Sequence, residues 1–430
     1  MKNREYQIIS RLKKSAFAKN ILIVMTGTAA AQIIGFALTP IISRLYSPAD
    51  FGAFGSFSAV YSVIAAGVTL QYTQAIMLPK DKEEAINVLA ASILSTLIVS
   101  FLCLIACFIA SETLNNLMKT DGKWSLIFLV IATVVTGLNQ SFQAWSVRVK
   151  AFKQTSFSQV IRSLSSNCSK IVFGYLKFGE IGLIISGIFA DILASMNLLK
   201  VLAIDYSELR QWIRWARIKD AAKEYIDFPL YSASQNMINA LSSGLPVLLL
   251  GHFYGIKVAG EYAFGVSILQ VPMGFILTSL RQVLFQKAAE TQHMGGNLLS
   301  LYIITTKGLF FTALFPSLVL FVWAPQIFSF IFGEQWGEAG EFTRSLIWWM
   351  MLVFCNLPAV LFARIIRLQR TVFIYDLSLL AIRILCLFLG GMFLNSNSTI
   401  MLFAIVGALM NGILILIVGY FVFKREVKVV

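Results

Sequence analysis

Arg162, Lys170, Arg281, Lys307, Arg344 and Arg383 stand inside long apolar stretches, as do the acids Asp191 and Asp376. A charge at the centre of a bilayer costs at least about 2.5–3.5 kcal/mol on insertion scales, so such side chains face protein or water. Two acids do not neutralise six cations, and a surplus of positive charge is what a cavity receiving an anion needs. Arg281 and Arg344 lie near the ends of their stretches, where long side chains reach the headgroups. The excess persists without them.

Ser158, Arg162, Ser165, Ser166, Ser169 and Lys170 recur at three- and four-residue spacing and form one polar helical stripe. At about 1.5 Å per residue, Lys170 falls near the bilayer midplane. A helix lining a cavity accounts for the stripe; so does one packed on its neighbours, with Lys170 paired to Asp191. Lys307 and Arg383 reach similar depth. The binding candidates are therefore Arg162, Lys170, Lys307, Arg383 and, toward a span end, Arg281. Gln32, Gln71, Asn139, Gln140 and Asn236 are candidates for hydrogen bonds to sugars, or equally to neighbouring helices. Asp191 and Asp376 are the candidates for a titrating, ion-coupling carboxylate, with a salt-bridge role as the alternative.

Other chemistry is missing from the sequence. His252 and His293 have no partners at zinc spacing, and there is no Walker A loop, so energy would come from a gradient rather than ATP. Cys103, Cys107, Cys168, Cys355 and Cys386 lie within apolar runs and suggest neither a disulfide framework nor a metal site. A transporter without catalytic residue, metal or cofactor is expected, not an enzyme.

The elements that position these residues follow from composition. The chain is 58% apolar and 13% charged, with a mean hydropathy of +0.77. A water-facing surface cannot hide that much apolar material. Runs of roughly 20 apolar residues, each enough to cross a bilayer, follow one another along the sequence. They predict spans at Lys19–Ser43, Asp50–Gln74, Ala85–Ala110, Trp124–Trp145, Phe157–Phe178 and Ile181–Leu202. After a connection come Pro229–Phe253, Val258–Phe285, Leu298–Val322, Glu341–Ala363, Thr371–Leu394 and Ser398–Phe423. The expected fold is an all-α integral membrane protein with about twelve transmembrane helices, in two six-helix halves around a central cavity. The halves are residues 1–202 and 229–430, joined by a cytoplasmic amphipathic linker, 203–228. The first apolar stretch runs to about Ile42, too long for a signal-peptide core, and is expected to stay uncleaved.

The net charge of +14 is concentrated in short segments between spans, which speaks for a membrane surface and against nucleic acid. With the N-terminus inside, the outer segments hold only Arg44, Lys119, Lys123, Lys177 and Lys257, and the inner ones carry the bulk of the loop cations. The positive-inside rule then places both termini in the cytoplasm. In the linker, Leu209, Trp212, Ile213 and Ala216 share one helical face and Arg210, Arg214 and Arg217 another, a pattern suited to the headgroup layer.

A short repeat relates the halves. Tyr46, Gly52 and Phe54 follow the first span with the same spacing as Tyr254, Gly260 and Tyr262 after the seventh, and prolines Pro40 and Pro246 precede them. Six spans per half would make the repeats parallel, related by an axis along the membrane normal.

Arg44-Leu-Tyr-Ser-Pro-Ala-Asp-Phe-Gly52 resembles a segment of bacterial polysaccharide-repeat flippases of the O-antigen or capsule type, within the multidrug/oligosaccharidyl-lipid/polysaccharide exporter superfamily. Gly27-Thr28-Ala-Ala-Ala-Gln32, Ala75-Ile-Met-Leu-Pro79 and Phe332-Gly-Glu-Gln-Trp336-Gly-Glu-Ala-Gly340 fit the same family. Relatives often carry Arg and Glu around the tyrosine late in the second span; Leu70-Gln71-Tyr72-Thr73-Gln74 lacks that pair. The resemblance implies a flippase in the bacterial inner membrane. It would move an undecaprenyl-diphosphate-linked oligosaccharide to the outer leaflet by alternating access, with the diphosphate among embedded cations such as Lys170 and Lys307. Implied partners are the bilayer, a polysaccharide polymerase with its chain-length machinery, and a coupling proton or sodium ion. A peptidoglycan-precursor flippase shares these electrostatics, and a multidrug exporter would favour an acidic cavity. A polysaccharide polymerase would carry one large outer loop, whereas the longest here are Ser111–Lys123 and Ala324–Gly340.

Overall fold

A computed structural model describes Ala29 to Val427, apart from residues 121–122, 205–209, 294–295 and 367. The expected start of the first span at Lys19, the N-terminal basic residues and Leu209 of the linker lie outside the described residues. In hydrocarbon every backbone N–H and C=O needs an internal partner, which leaves the helix as the form these apolar runs adopt. No strand occurs among the described residues.

The long helices of the first part are α1 (Ala29–Leu45), α2 (Pro48–Gly67), α3 (Lys82–Ile109), α4 (Lys123–Arg148), α5 (Phe152–Tyr175) and α6 (Gly179–Ile204). Those of the second are α7 (Ser234–Tyr254), α8 (Ile256–His293), α9 (Leu298–Phe332), α10 (Gly337–Cys355), α11 (Gln369–Phe393) and α12 (Ser396–Val427). Among the described residues, 10 helical stretches are long and apolar enough to cross a membrane. The chain is thus an all-α, multi-pass membrane protein. α5 falls short although it has 24 residues, because its serine, arginine and lysine stripe lowers its hydropathy. α1 falls short by the length of its described part.

Several boundaries differ from the hydropathy reading. α9 continues to Phe332 through Pro316 and Pro325, so most of the expected outer loop Ala324–Gly340 is helix, followed by a 3₁₀ turn at Glu334–Trp336. The other long outer loop contains a helix, Ser111–Met118. The span expected at Glu341–Ala363 breaks at Asn356, and Pro358 opens the helix Leu357–Ile365, since proline is tolerated in a first turn.

The chain forms two compact units, one of Met1–Tyr46 with Ser56–Gly244, the other of Ser47–Gly55 with Leu245–Val430. In the first, α5 and α6 pack as a hairpin, α4 lies against α6 and α3, and the linker helix Trp215–Glu224 lies on α3. Tyr72, Ile76, Ile86, Leu89, Trp145 and Ile218 are among its buried apolar residues. Arg148 clasps the chain after Tyr72–Ala75, donating from Nη1 to the Met77 carbonyl at 3.0 Å and from Nη2 to that of Pro79 at 2.6 Å.

The linker helix breaks where Arg214 adopts an extended backbone, so the face drawn across Trp212–Ala216 is interrupted. Ile218 and Ala221 are the linker residues buried in the core. Asn87 joins both sides of the break, donating to the Trp212 carbonyl at 3.1 Å and accepting from the Arg214 N–H at 3.3 Å.

In the second unit Phe51, from the start of α2, meets Phe264 and Trp336 edge to face at 5.3 and 5.1 Å. Phe264 and Trp336 are themselves 4.0 Å apart. Two of the sequence motifs, Phe51-Gly52 and Phe332–Gly340, therefore meet in one aromatic cluster.

Candidate functional site

The described residues of the first unit form an open cavity of about 430 Å³, lined from α1, α4, α5 and α6. Gln32 reaches it from α1, Asn139 and Gln143 from α4, and Ser158, Arg162 and Asn167 from α5. Asn139 and Gln143 lie one turn apart and so share a face.

Arg162 is the charged residue of the lining. Its Nε and Nη2 donate to the two carboxylate oxygens of Asp191, the second at 3.4 Å. The partners differ in exposure: the arginine side chain is 59% accessible and the aspartate 7%. Asp191 also accepts from Thr136 at 3.1 Å, and Tyr61 bonds Thr136 in turn. Asn139 donates to Ser195 Oγ at 2.9 Å, and Ser195 to the Asp191 carbonyl at 2.7 Å. A guanidinium has five N–H donors, and those on Nη1 make no hydrogen bond within the described residues. The group is therefore oriented by the buried acid and keeps donors for a ligand oxygen.

Not all of the polar stripe reaches the cavity. Ser158 lines it while donating to the Ala194 carbonyl at 2.9 Å, and Ser166 lines it as well. Ser165, Ser169 and Lys170 are outside the lining. The ion pair from α5 to Asp191 is made by Arg162, not by Lys170 as in the packed-stripe alternative. Lys170 is half-buried, and its carbonyl accepts from Tyr46 Oη at 2.7 Å.

Two of the other uncharged candidates serve the backbone. Gln140 donates to the Ala65 carbonyl at 3.2 Å. Gln71, in left-handed conformation just past α2, donates to the Ala66 carbonyl at 2.7 Å. Asn236 is half-buried near the start of α7.

Lys307, Arg281, Arg383 and Asp376 belong to the second unit. Lys307, Arg281 and Asp376 are exposed. Arg383 stacks on Trp349 and Phe403, its guanidinium carbon 5.0 and 5.4 Å from their ring centres, a cation–π arrangement that offsets part of its lost hydration. Arg344 pairs with Glu341 at 3.0 Å and donates to the Phe321 and Val322 carbonyls on α9.

The count of two embedded acids omitted Glu261. This residue in α8 is fully buried and lies 3.5 Å from Lys257, which bonds Glu338 at 3.2 Å. Glu261 follows Gly260 inside the repeat, and position alone would have exposed it as an acid within a span. Tyr61 and Thr136, which extend the polar chain to Asp191, are uncharged and of types common in packed helices, so nothing in the sequence marked them.

Helix order and packing define the class as membrane proteins with the fold of the multidrug/oligosaccharidyl-lipid/polysaccharide superfamily. An inward-facing multidrug resistance MATE family transporter of that superfamily superimposes with a TM-score of 0.72 at 15% identity, covering 92% of this chain and 95% of its own. Lipid II flippase MurJ, in an inward closed conformation, gives 0.71 at 15% identity over 92% and 87%. The sequence model of the family described as polysaccharide biosynthesis protein matches residues 41–341, and the chain belongs to that family. The succinoglycan biosynthesis transport protein ExoT of Rhizobium meliloti (strain 1021) is 20% identical over 308 residues, 71% of this chain and 60% of that protein. The teichuronic acid biosynthesis protein TuaB of Bacillus subtilis (strain 168) is 25% identical over 115 residues, 26% and 24% of the two chains. The chain thus spans less than two thirds of the length of either relative.

Proposed function

We propose that this protein is a flippase that carries a lipid-linked oligosaccharide repeat unit, joined to undecaprenyl diphosphate, from the cytoplasmic to the outer leaflet by alternating access. The observation that carries this is the hydroxyl-, amide- and guanidinium-lined cavity around Arg162 in a helical membrane unit. Amides and hydroxyls match the hydrogen-bonding groups of sugars, and a guanidinium with free donors matches a phosphate oxygen. Membership of the polysaccharide biosynthesis family supports that substrate over a drug or a peptidoglycan precursor. Arg162, Gln32 and Asn139 would contact the substrate first, with Lys170, Lys307, Arg383 and Arg281 as further cations for the diphosphate. Asp191 and Asp376 are the carboxylates on which a coupling proton or sodium ion would act. Both termini would lie in the cytoplasm of a bacterium whose inner membrane holds the protein.

The test uses cells lacking the gene. Surface polysaccharide should be lost and lipid-linked repeat units should accumulate on the cytoplasmic leaflet. Wild type should restore export, and Arg162→Gln expressed at the wild-type level should not. Repeat units that reach the outer leaflet unpolymerised would instead identify a polymerase and refute the transport assignment.

A further inference from the structure

A second cavity of the first unit, of about 740 Å³, is separate from the polar one: no residue lines both. Its wall on α3 is an uninterrupted apolar stripe in which Leu89, Ile93 and Leu97 recur every fourth position. Leu199 and Leu202 of α6 face it, and Ile213, Trp215 and Arg210 of the linker close one end. From Ile86 to Leu97 the stripe rises about 16 Å, close to half of a hydrocarbon core about 30 Å thick. The groove is thus as long as one leaflet is deep.

Its two ends differ. The Leu97 end is apolar, whereas the Ile86 end meets the linker, where Arg210 is in the lining and no acid pairs with it among the described residues. Arg214 stands exposed between the lining residues Ile213 and Trp215. Two acids of α3 near this end are engaged elsewhere: Glu83 pairs with Arg217 at 3.0 Å, and Glu84 accepts from Tyr225 at 2.8 Å. Trp215 is 69% exposed, as befits an indole at the headgroup level.

We propose that this groove is a binding site for an anionic phospholipid of the cytoplasmic leaflet, with one acyl chain along α3 and the headgroup at Arg210 and Arg214. The leaflet assignment rests on the orientation proposed above; the groove and its charged end do not depend on the transported substrate. A single-leaflet length suits a phospholipid chain better than a long polyprenyl tail. The linker helix, docked on α3 through Ile218 and the Arg217–Glu83 pair, lies beside the groove and is positioned to respond to the lipid.

Native mass spectrometry of the full chain in detergent tests this with phosphatidylglycerol and phosphatidylcholine of identical acyl chains. Phosphatidylglycerol should remain bound at activation energies that strip phosphatidylcholine. A basic residue near a membrane surface contributes about 1 kcal/mol, so Arg210→Gln and Arg214→Gln should each weaken retention about fivefold. Ile93→Trp, which fills the groove and leaves its charge intact, should also lose the adduct, and Arg364→Gln in the second unit should keep it. Equal retention of the two lipids, or full retention by the Arg210/Arg214 double variant, would overturn the proposal. Displacement of phosphatidylglycerol by undecaprenyl phosphate, one for one, would assign the groove to the substrate tail instead.

Discussion

Gly52 of α2 and Gly260 of α8 face each other with matching contacts. A methyl group on Gly52 would collide with the Ile256 carbonyl, four residues before Gly260; one on Gly260 would collide with the Pro48 carbonyl, four residues before Gly52. Each helix thus presses its glycine against the same turn of the other, as small residues allow in membrane helix pairs. Three residues further along each helix the approach continues: a methyl group on Gly55 would lie 3.3 Å from the Ala263 side chain. The obstructing atoms are backbone, so a side chain at either glycine forces the helices apart. Gly52→Ala and Gly260→Ala should each cost about 1–3 kcal/mol and lower the thermal midpoint of the detergent-purified protein. Gly187, which has nothing within 4 Å of an added methyl, should tolerate alanine; equal midpoints for all three variants would contradict this packing.

The tyrosines of the repeat make matching bonds as well. Tyr46 donates to the Lys170 carbonyl of α5 at 2.7 Å. Tyr254 lies 2.8 Å from the Gly390 carbonyl of α11, 2.9 Å from that of Leu394 and 2.6 Å from Thr399 Oγ1. α5 and α11 are the fifth long helices of their respective parts. Side-chain hydrogen bonds within membranes contribute about 0.6–1.7 kcal/mol, so both Tyr→Phe variants should destabilise. Thermal denaturation of the two purified variants decides it, and midpoints equal to that of wild type would contradict these bonds.

Much of this was legible because a bilayer leaves the chain so few options. Apolar runs of the right length gave the helices, and the repeat of Tyr, Gly and aromatic pointed to related halves; that its two glycines meet across α2 and α8 appears only in the structure. α5 was readable as a lining helix from its stripe, and Arg162, Asn139 and Gln32 do line one cavity. What stayed hidden depends on azimuth and tertiary partners. Hydropathy could not tell that Lys170 stands outside the lining, nor that Gln71 and Gln140 would bond to backbone carbonyls. It also could not show that α9 would continue as helix through two prolines, because the packing of Phe328 and Phe332 against Phe264 rewards helix where composition suggested a loop.

Tyr225, between the linker helix and α7, supplies a pH dependence outside the spans. Burial, then its hydrogen bond to Glu84, pushes the phenol from its ordinary value of 10.0 up to about 12. A raised value means that the docked state favours the neutral phenol. Its contribution is complete below pH 10 and disappears as pH rises through about 12. The difference in tyrosinate absorbance between wild type and Tyr225→Phe should therefore titrate near pH 12. A midpoint near 10 would show that the phenol is neither buried nor bonded to Glu84.

The exposure difference between Arg162 and Asp191 gives an ordered pair of outcomes. Removing the arginine leaves a 7% accessible carboxylate with Thr136 as its remaining side-chain donor, and a stranded buried charge is the expensive outcome. Removing the acid leaves a 59% accessible guanidinium that water in the cavity can solvate. Arg162→Ala should destabilise by roughly 3 kcal/mol, the lower end of the range for breaking a buried pair, because solvent already reaches one partner. Asp191→Asn should destabilise less, since the amide still accepts from Thr136 and Arg162 stays wet. The double variant should be more stable than Arg162→Ala alone, because no charge is then left buried. A double-mutant cycle on thermal midpoints measures all three, and equal losses for the two single variants would mean that the acid is as hydrated as the arginine. Transport separates structure from binding. If Arg162 binds substrate through Nη1 and coupling acts at Asp376, Asp191→Asn should keep residual export while Arg162→Gln abolishes it at matched expression.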